Sequence, residues 1–305
     1  MKHFAPFTMQ DRGLAYGDGL FETMRLSRSK LSWWSEHFAR MSYTCCALGL
    51  PIPDENDVRA AIDSAVEQSG KSEAVVKLMY TAGSGQRGYH RAEPVEPTLA
   101  VLIGGVPAAD SQWSVQGLSV GLLKQSGGIP ISALSGLKHL NRLPQVLARA
   151  AWPEGVDECL IHDENGLVLG GTQSNFYWQE EGRWFTPPIQ GAAIAGIVRA
   201  LLCRYLDVTI APVSIGRLAL AQAAAISNAV RGVLPIGRLA GRVLSVDQSM
   251  ELVARWHRLC AIRAGEGGEP VDSAWFALQR QVAVLDSGSQ VRCRKMFGEM
   301  AEYYE

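Results

Sequence analysis

A four-residue break, Gly104-Gly105-Val106-Pro107, constrains this chain more than any other local feature. Paired glycines followed by proline neither continue a strand ladder nor open a helix, so apolar patterning has to stop there and restart beyond it. The chain has 305 residues and is 47% hydrophobic, enough for one large core or two medium ones, and the break favours two. The expected layout is an N-terminal α/β domain over 1–105, a linker over 106–116, a larger domain over 117–263, and an extension over 264–305 with no functional reading.

Periodicity fills in the two halves. The spacing predicts a helix over 35–48, with Phe38, Met41, Cys45 and Leu48 inward, closed by Gly49-Leu50-Pro51. Asp54 can cap a second helix over 55–68. Runs 74–80 and 98–103 read as strands. Beyond the break, 118–123 reads as a strand, 139–151 as a helix, and 159–162 with 167–169 as a hairpin. A second hairpin spans 175–178 and 183–186, followed by a helix over 195–205. Strands are expected at 208–213, 224–227 and 233–236, and helices over 246–263 and 271–285.

Composition excludes several function classes. Lys plus Arg number 29 against 30 Asp plus Glu, a net charge of −1, which argues against nucleic acid or an anionic membrane as partner. The basic group Arg292, Arg294 and Lys295 reads as a solvated face. No apolar stretch is long enough to span a bilayer, and Met1 to Gly13 holds no apolar signal core, so the expected location is the cytoplasm. Cys45, Cys46, Cys159, Cys203, Cys260 and Cys293 form neither a CxxC pair nor a zinc pattern and read as reduced thiols.

Gly83-Ser84-Gly85-Gln86-Arg87-Gly88 matches G-x-G-x-x-G. A dinucleotide site also needs a helix opening at the last glycines, and Pro94 and Pro97 stand where it would run. The stretch reads instead as a loop between strands, whose Arg87 offers a forked pair of donors to a carboxylate.

The chemistry centres on Ser135-Gly136-Leu137-Lys138-His139-Leu140-Asn141-Arg142-Leu143. A lysine among apolar residues is either a surface residue with a buried stem or a desolvated amine nucleophile, and its neighbours alone do not separate the two. Arg40 alone is either an exposed helix arginine or a cation for a phosphate. Gly196 alone is a helix-start glycine, and backbone N–H groups at such a start can also hold a phosphate.

Read together, these stretches resemble the class IV aminotransferases and their lyase relatives. Residues Asp11 to Thr23, with Phe21-Glu22-Thr23 at the end, and the Lys138-to-Leu143 run are similar to the aminodeoxychorismate lyases in particular. Gly171-Thr172-Gln173-Ser174-Asn175, Ala195-Gly196-Ile197-Val198-Arg199 and Ser227-Asn228-Ala229-Val230 follow in the family's order. The resemblance implies an α/β fold of type IV, in which a smaller N-terminal α/β domain and a larger C-terminal pseudo-barrel hold pyridoxal 5′-phosphate between them in a homodimer. It implies Lys138 as the Schiff-base lysine. Arg40, Arg142, Gly170, Gly196, Ile197, Val198, Asn228 and Ala229 are then cofactor contacts. Thr23 assists catalysis, and Tyr16, Arg87 and Tyr89 face a small-molecule substrate, aminodeoxychorismate. The alternatives are a class IV aminotransferase for a D-amino or branched-chain acid and a non-catalytic cofactor-binding homologue.

Two positions depart from the family pattern. The family carries a glutamate just before Gly-Thr-x-Ser-Asn, paired with the pyridine nitrogen of the cofactor; here Gly170 stands there. Glycine holds no proton, so the ring is expected to be a weaker electron sink, which harms transamination more than an elimination that ends in an aromatic ring. Pro144 replaces the usual glutamate after Asn141-Arg142-Leu143, and proline is tolerated in a first helical turn.

Overall fold

The structure is a computed structural model, and it describes residues 7–108, 112–124 and 132–266. The expected helix at 271–285, the basic group at 292–295 and Cys293 lie outside the described residues. The first part runs α1 (Arg12–Tyr16), β1 (Gly19–Ser27), β2 (Lys30–Leu31), α2 (Trp34–Leu48), α3 (Glu55–Ser69), β3 (Ala74–Thr81) and β4 (Thr98–Gly104). Its antiparallel sheet has the order β2-β1-β3-β4. Strand alternation sends Leu20, Met24 and Leu26 of β1 and Val76 and Leu78 of β3 to one face, where they pack with Met41 and Cys45 of α2 and Val58 and Ile62 of α3. Phe21, Thr23 and Lys77 take the other, more open face. Asp54 caps α3 through the N–H groups of Asn56 and Asp57, and α2 ends on Gly49 in the left-handed region.

The second part runs α4 (Trp113–Gln116), β5 (Leu118–Lys124), α5 (Leu143–Ala150), β6 (Glu158–His162), β7 (Val168–Gly171), β8 (Asn175–Glu180) and β9 (Arg183–Thr186). It continues with α6 (Ile197–Tyr205), β10 (Thr209–Ile210), β11 (Ala223–Asn228), β12 (Gly232–Leu239), β13 (Arg242–Val243) and α7 (Val246–Glu266). These strands make one mixed sheet, β10-β9-β8-β11-β12-β5-β6-β7, with β13 on β12. β7 and β8 stand five places apart in that order, about 24 Å in a flat sheet. The chain between them, Gly171 to Asn175, reaches at most about 15 Å. The sheet therefore has to curl, and it forms a half barrel. Leu160, Phe176, Trp178 and Ile236 fill one face, while α6 and α7 cover the other through Ile197, Leu201, Leu252 and Trp256.

Two expectations change. The helix expected over 139–151 begins only at α5, because the backbone of 136–140 pairs sideways with neighbouring segments and Pro144 occupies the first turn. The strand expected over 208–213 shrinks to β10, an edge strand that stops short of Pro212. Among the described residues no helix is long and apolar enough to cross a membrane. The described cysteines are free thiols.

Candidate active site

The segment 136–140 is seamed into the fold on both sides. Phe21 N–H donates to the Lys138 carbonyl at 3.0 Å and Leu140 N–H to the Gly19 carbonyl at 2.9 Å. On the other side Gly136 N–H donates to Ala193 and Ala195 N–H donates to Gly136, at 3.0 and 3.1 Å. Lys138 is thereby fixed between β1 and the approach to α6. Arg142 braces this segment from within: its guanidinium donates to the carbonyls of His139 (3.0 Å), Ala192 (3.2 Å) and Leu137. Arg142 thereby positions the lysine's backbone.

The half-buried Lys138 has its Nζ 4.1 Å from the centre of the Phe21 ring. Burial of its amine, with the nearby Arg40 cation, pulls its pKa from 10.5 down to about 7, against the pull of Glu22. Of the two readings open in the sequence, the desolvated amine is the one the structure supports. Lys77 Nζ lies 5.3 Å from the same ring, and Thr23 pairs with Lys77 across the sheet. Phe21, Thr23, Lys77 and Lys138 thus share one neighbourhood.

Arg40 is 4% exposed, so it is no surface arginine. Nε (2.8 Å) and Nη2 donate to Glu22, and Nη1 donates to the Ala195 carbonyl at 3.0 Å. Glu22 also accepts from His37 Nδ1 at 2.7 Å. Burial alone would raise the Glu22 pKa, but Arg40 and His37 hold it at about 2. A guanidinium has five N–H donors, and the contacts just named use three of them.

Ala195 leads directly into α6, whose first turn no side chain caps. Gly196 is required there: a Cβ would sit 1.9 Å from Asn175 Oδ1. Asn175 in turn donates to the Ile194 carbonyl at 2.9 Å, tying the 171–175 turn to the helix start. The N–H groups of Ile197 and Val198 and the spare donors of Arg40 make a cradle suited to a phosphate. Asn228 Oδ1 accepts from Val230 and Arg231 N–H, so it orders the loop that contains Ala229.

These residues fit pyridoxal 5′-phosphate at its phosphate and aldehyde ends. At the ring nitrogen they supply no acid at the expected position: Gly170 is buried, with φ +144°, and a Cβ there would meet only the Ser174 carbonyl, at 3.3 Å.

The residues expected to face substrate are less gathered. Tyr16 and Tyr89 stack edge to face at 5.6 Å in a cavity of about 230 Å³. Its wall includes His139 and Asn141 but not Lys138. Tyr16 Oη accepts from Gly88 N–H at 3.0 Å, and Arg12 holds the carbonyls of Gly88, Tyr89 and His90. Arg87 is exposed on that loop. Tyr16 and Tyr89 thus share a cavity with His139, the neighbour of Lys138, while Arg87 lies outside its lining.

Glu22, His37, Phe21 and Lys77 were not singled out from the sequence as site residues. Glu22 did carry a signal, as an acid at a core-facing place between Leu20 and Met24 of β1. Lys77 carried none, since a lysine on the open face of a strand is ordinary.

A lowered-pKa lysine beside a phosphate cradle, seated between a small α/β sheet and a curled mixed sheet, defines a pyridoxal-phosphate enzyme of fold type IV. The chain belongs to the class IV amino-transferase family, whose model matches residues 19–239. Pyridoxal phosphate is the cofactor of that family, and solved neighbours of this fold carry it. The aminodeoxychorismate lyase of Vibrio harveyi is 29% identical over 245 residues, 78% of this chain and 89% of that protein. The solved 4-amino-4-deoxychorismate lyase of Pseudomonas aeruginosa is 31% identical with a TM-score of 0.74, covering 87% of this chain and 97% of that one. The D-alanine aminotransferase of Bacillus licheniformis is 24% identical over 196 residues, 63% of this chain and 66% of that protein.

Proposed function

We propose that this chain is an aminodeoxychorismate lyase, converting 4-amino-4-deoxychorismate to 4-aminobenzoate, a folate precursor, and pyruvate. The observation that carries the reading is the Lys138–Phe21–Lys77 arrangement: a low-pKa amine and a second cation flank one aromatic ring. The substrate is an unsaturated ring with one carboxylate on the ring and a second on its enolpyruvyl ether, which asks for a base, an apolar platform and a cation together. The similarity to the two lyases supports the same substrate.

When bound, the cofactor would supply an aldehyde group for the substrate amine and an electron-drawing ring. Arg40 and the start of α6 would hold its phosphate. Lys138, whose pKa is pulled down to about 7 chiefly by burial, removes the proton from the amine-bearing ring carbon as general base. The C–O bond on the adjacent carbon then breaks, its electron pair leaves with the enolpyruvyl oxygen, and that fragment takes up a proton to become pyruvate. Thr23 is the hydroxyl on the same strand face that assists this departure. Lys77 pairs with a substrate carboxylate. The same reading makes the protein a cytoplasmic homodimer, with Tyr16, Arg87 and Tyr89 as substrate contacts completed on assembly.

The test follows 4-aminobenzoate fluorescence from aminodeoxychorismate generated in situ, with added pyridoxal phosphate. Turnover in wild type and none in Lys138→Ala is expected. Silence in both, with cofactor amine formed from amino acids, would give the reaction to the aminotransferase alternative.

A further inference from the structure

The ring nitrogen of a bound pyridoxal phosphate is protonated where an acid is placed to share the proton, and the described residues of this chain offer no uncommitted buried acid for it. Gly170 occupies a backbone conformation that side chains rarely adopt, φ +144°, so it is not a glutamate site merely trimmed to its backbone. The remaining buried acids among the described residues are committed elsewhere. Asp11 accepts from Gly13 N–H and Thr81 Oγ1. Glu22 is held by Arg40 and His37, and Glu36 by Arg263. Half-buried Asp18 is held by Arg12 and Arg91. Glu158 stands nearest in the fold, on the strand paired with that of Gly170. It accepts from Cys159 N–H (2.9 Å), Thr172 N–H (3.2 Å), Thr172 Oγ1 (2.5 Å) and Ser174 Oγ (2.9 Å). A carboxylate has about four lone-pair sites, so Glu158 is filled.

We propose that Gly170 makes this chain a dedicated elimination enzyme by leaving the cofactor's ring nitrogen unprotonated. The inference rests on the lyase reading for its biological sense and on the family's cofactor for its chemistry. In elimination the electron pair released from the C–H bond is expelled at once with the adjacent C–O bond, the proton goes to Lys138, and no charge has to rest on the cofactor ring. In transamination no bond breaks beside the carbanion. The pair must be held by the ring until the cofactor's own carbon is protonated, and an unprotonated ring nitrogen holds it poorly. The same substitution therefore suppresses one reaction and spares the other.

The decisive experiment loads the full chain with pyridoxal phosphate labelled with 15N in the ring and reads the nitrogen chemical shift at neutral pH. A shift in the unprotonated range is expected; one in the protonated range overturns the inference, whatever the enzyme turns over. A second readout follows the cofactor's conversion from aldehyde to amine form by absorbance, with alanine or glutamate as donor. In wild type it is expected at least about a hundredfold slower than elimination, a difference of roughly 2.7 kcal/mol in barrier. Amine formation as fast as elimination would also overturn the inference. Gly170→Glu should move the shift toward the protonated range and speed amine formation, with Gly170→Ala reporting backbone strain alone. If neither variant folds, the wild-type shift still decides. An unprotonated nitrogen without turnover of aminodeoxychorismate sinks the lyase reading and, with it, the claim of dedicated elimination, whereas a protonated nitrogen with turnover sinks the inference alone.

Discussion

Arg40 donates through Nη1 to the carbonyl of Ala195, 3.0 Å away and 155 positions along the chain. This one contact fixes α2 of the first part against the start of α6 in the second. It also leaves the guanidinium facing the uncapped N–H groups of that helix. Arg40→Met removes both the tie and the cation and strands the Glu22 carboxylate. Pyridoxal phosphate affinity should fall at least tenfold, about 1.4 kcal/mol, in an absorbance titration. Arg40→Lys keeps the charge and loses the fork, and should fall between. Unchanged affinity in both variants would remove Arg40 from the phosphate site.

The Lys138 amine leads to a stability prediction of unusual sign. Its pKa is lowered from 10.5 to about 7 in the folded protein by burial and by Arg40. Between these values the unfolded chain binds more protons than the folded one, so stability rises with pH across that window. Below about 7 the lysine is charged in both states and the cost of burying it is fully present. In thermal melts of the apoprotein, Lys138→Met should be more stable than wild type below neutral pH, with the gap closing toward pH 10.5. A gap that does not vary with pH would mean that the amine is not desolvated.

Lys77 is expected to act on binding more than on chemistry. It lies 5.3 Å from the Phe21 ring, on the face shared with Thr23. Lys77→Met should raise KM for aminodeoxychorismate roughly tenfold, as loss of one charge-assisted contact would. Its kcat should change little and Lys77→Arg should recover most of the loss. A fall in kcat at unchanged KM would assign Lys77 to the chemical step instead.

Much of this was legible in the sequence, for physical reasons that can be traced. The caps at Asp54 and Gly49 and the apolar runs of β3 and β4 are local, and local rules found them, whereas β1 was not read as a strand. Lys138, Arg40 and Gly196 were found as motifs, while their meeting depends on backbone pairing between 136–140, 19–21 and 193–195, which no local rule contains. That pairing also withdrew 139–142 from the expected helix. Glu22 was missed because its partners His37 and Arg40 come from another element, α2, and only the assembled group reveals why an acid tolerates the core.

Arg263, near the end of α7, closes a second tie between the two parts. Its Nη2 donates to Glu36 of α2 at 2.6 Å and its Nη1 to Tyr205 Oη at 3.1 Å, with side-chain exposures of 10% for Arg263 and 4% for Glu36. Trp33, one residue before α2, packs on Trp256 at 5.4 Å beside it and lies under the Arg263 guanidinium. Removing one partner of a buried pair leaves the other charge uncompensated, so Arg263→Met should cost roughly 3–5 kcal/mol of unfolding free energy. Arg263→Met combined with Glu36→Met should recover a large part of it, because no unpaired charge remains, and the double-mutant cycle measures the coupling. Since α2 also carries Arg40, cofactor affinity should drop with stability in the single variant and return in the double. A single variant as stable as wild type would show that this tie is a surface contact, and that the Arg40–Ala195 link alone sets how α2 meets α6.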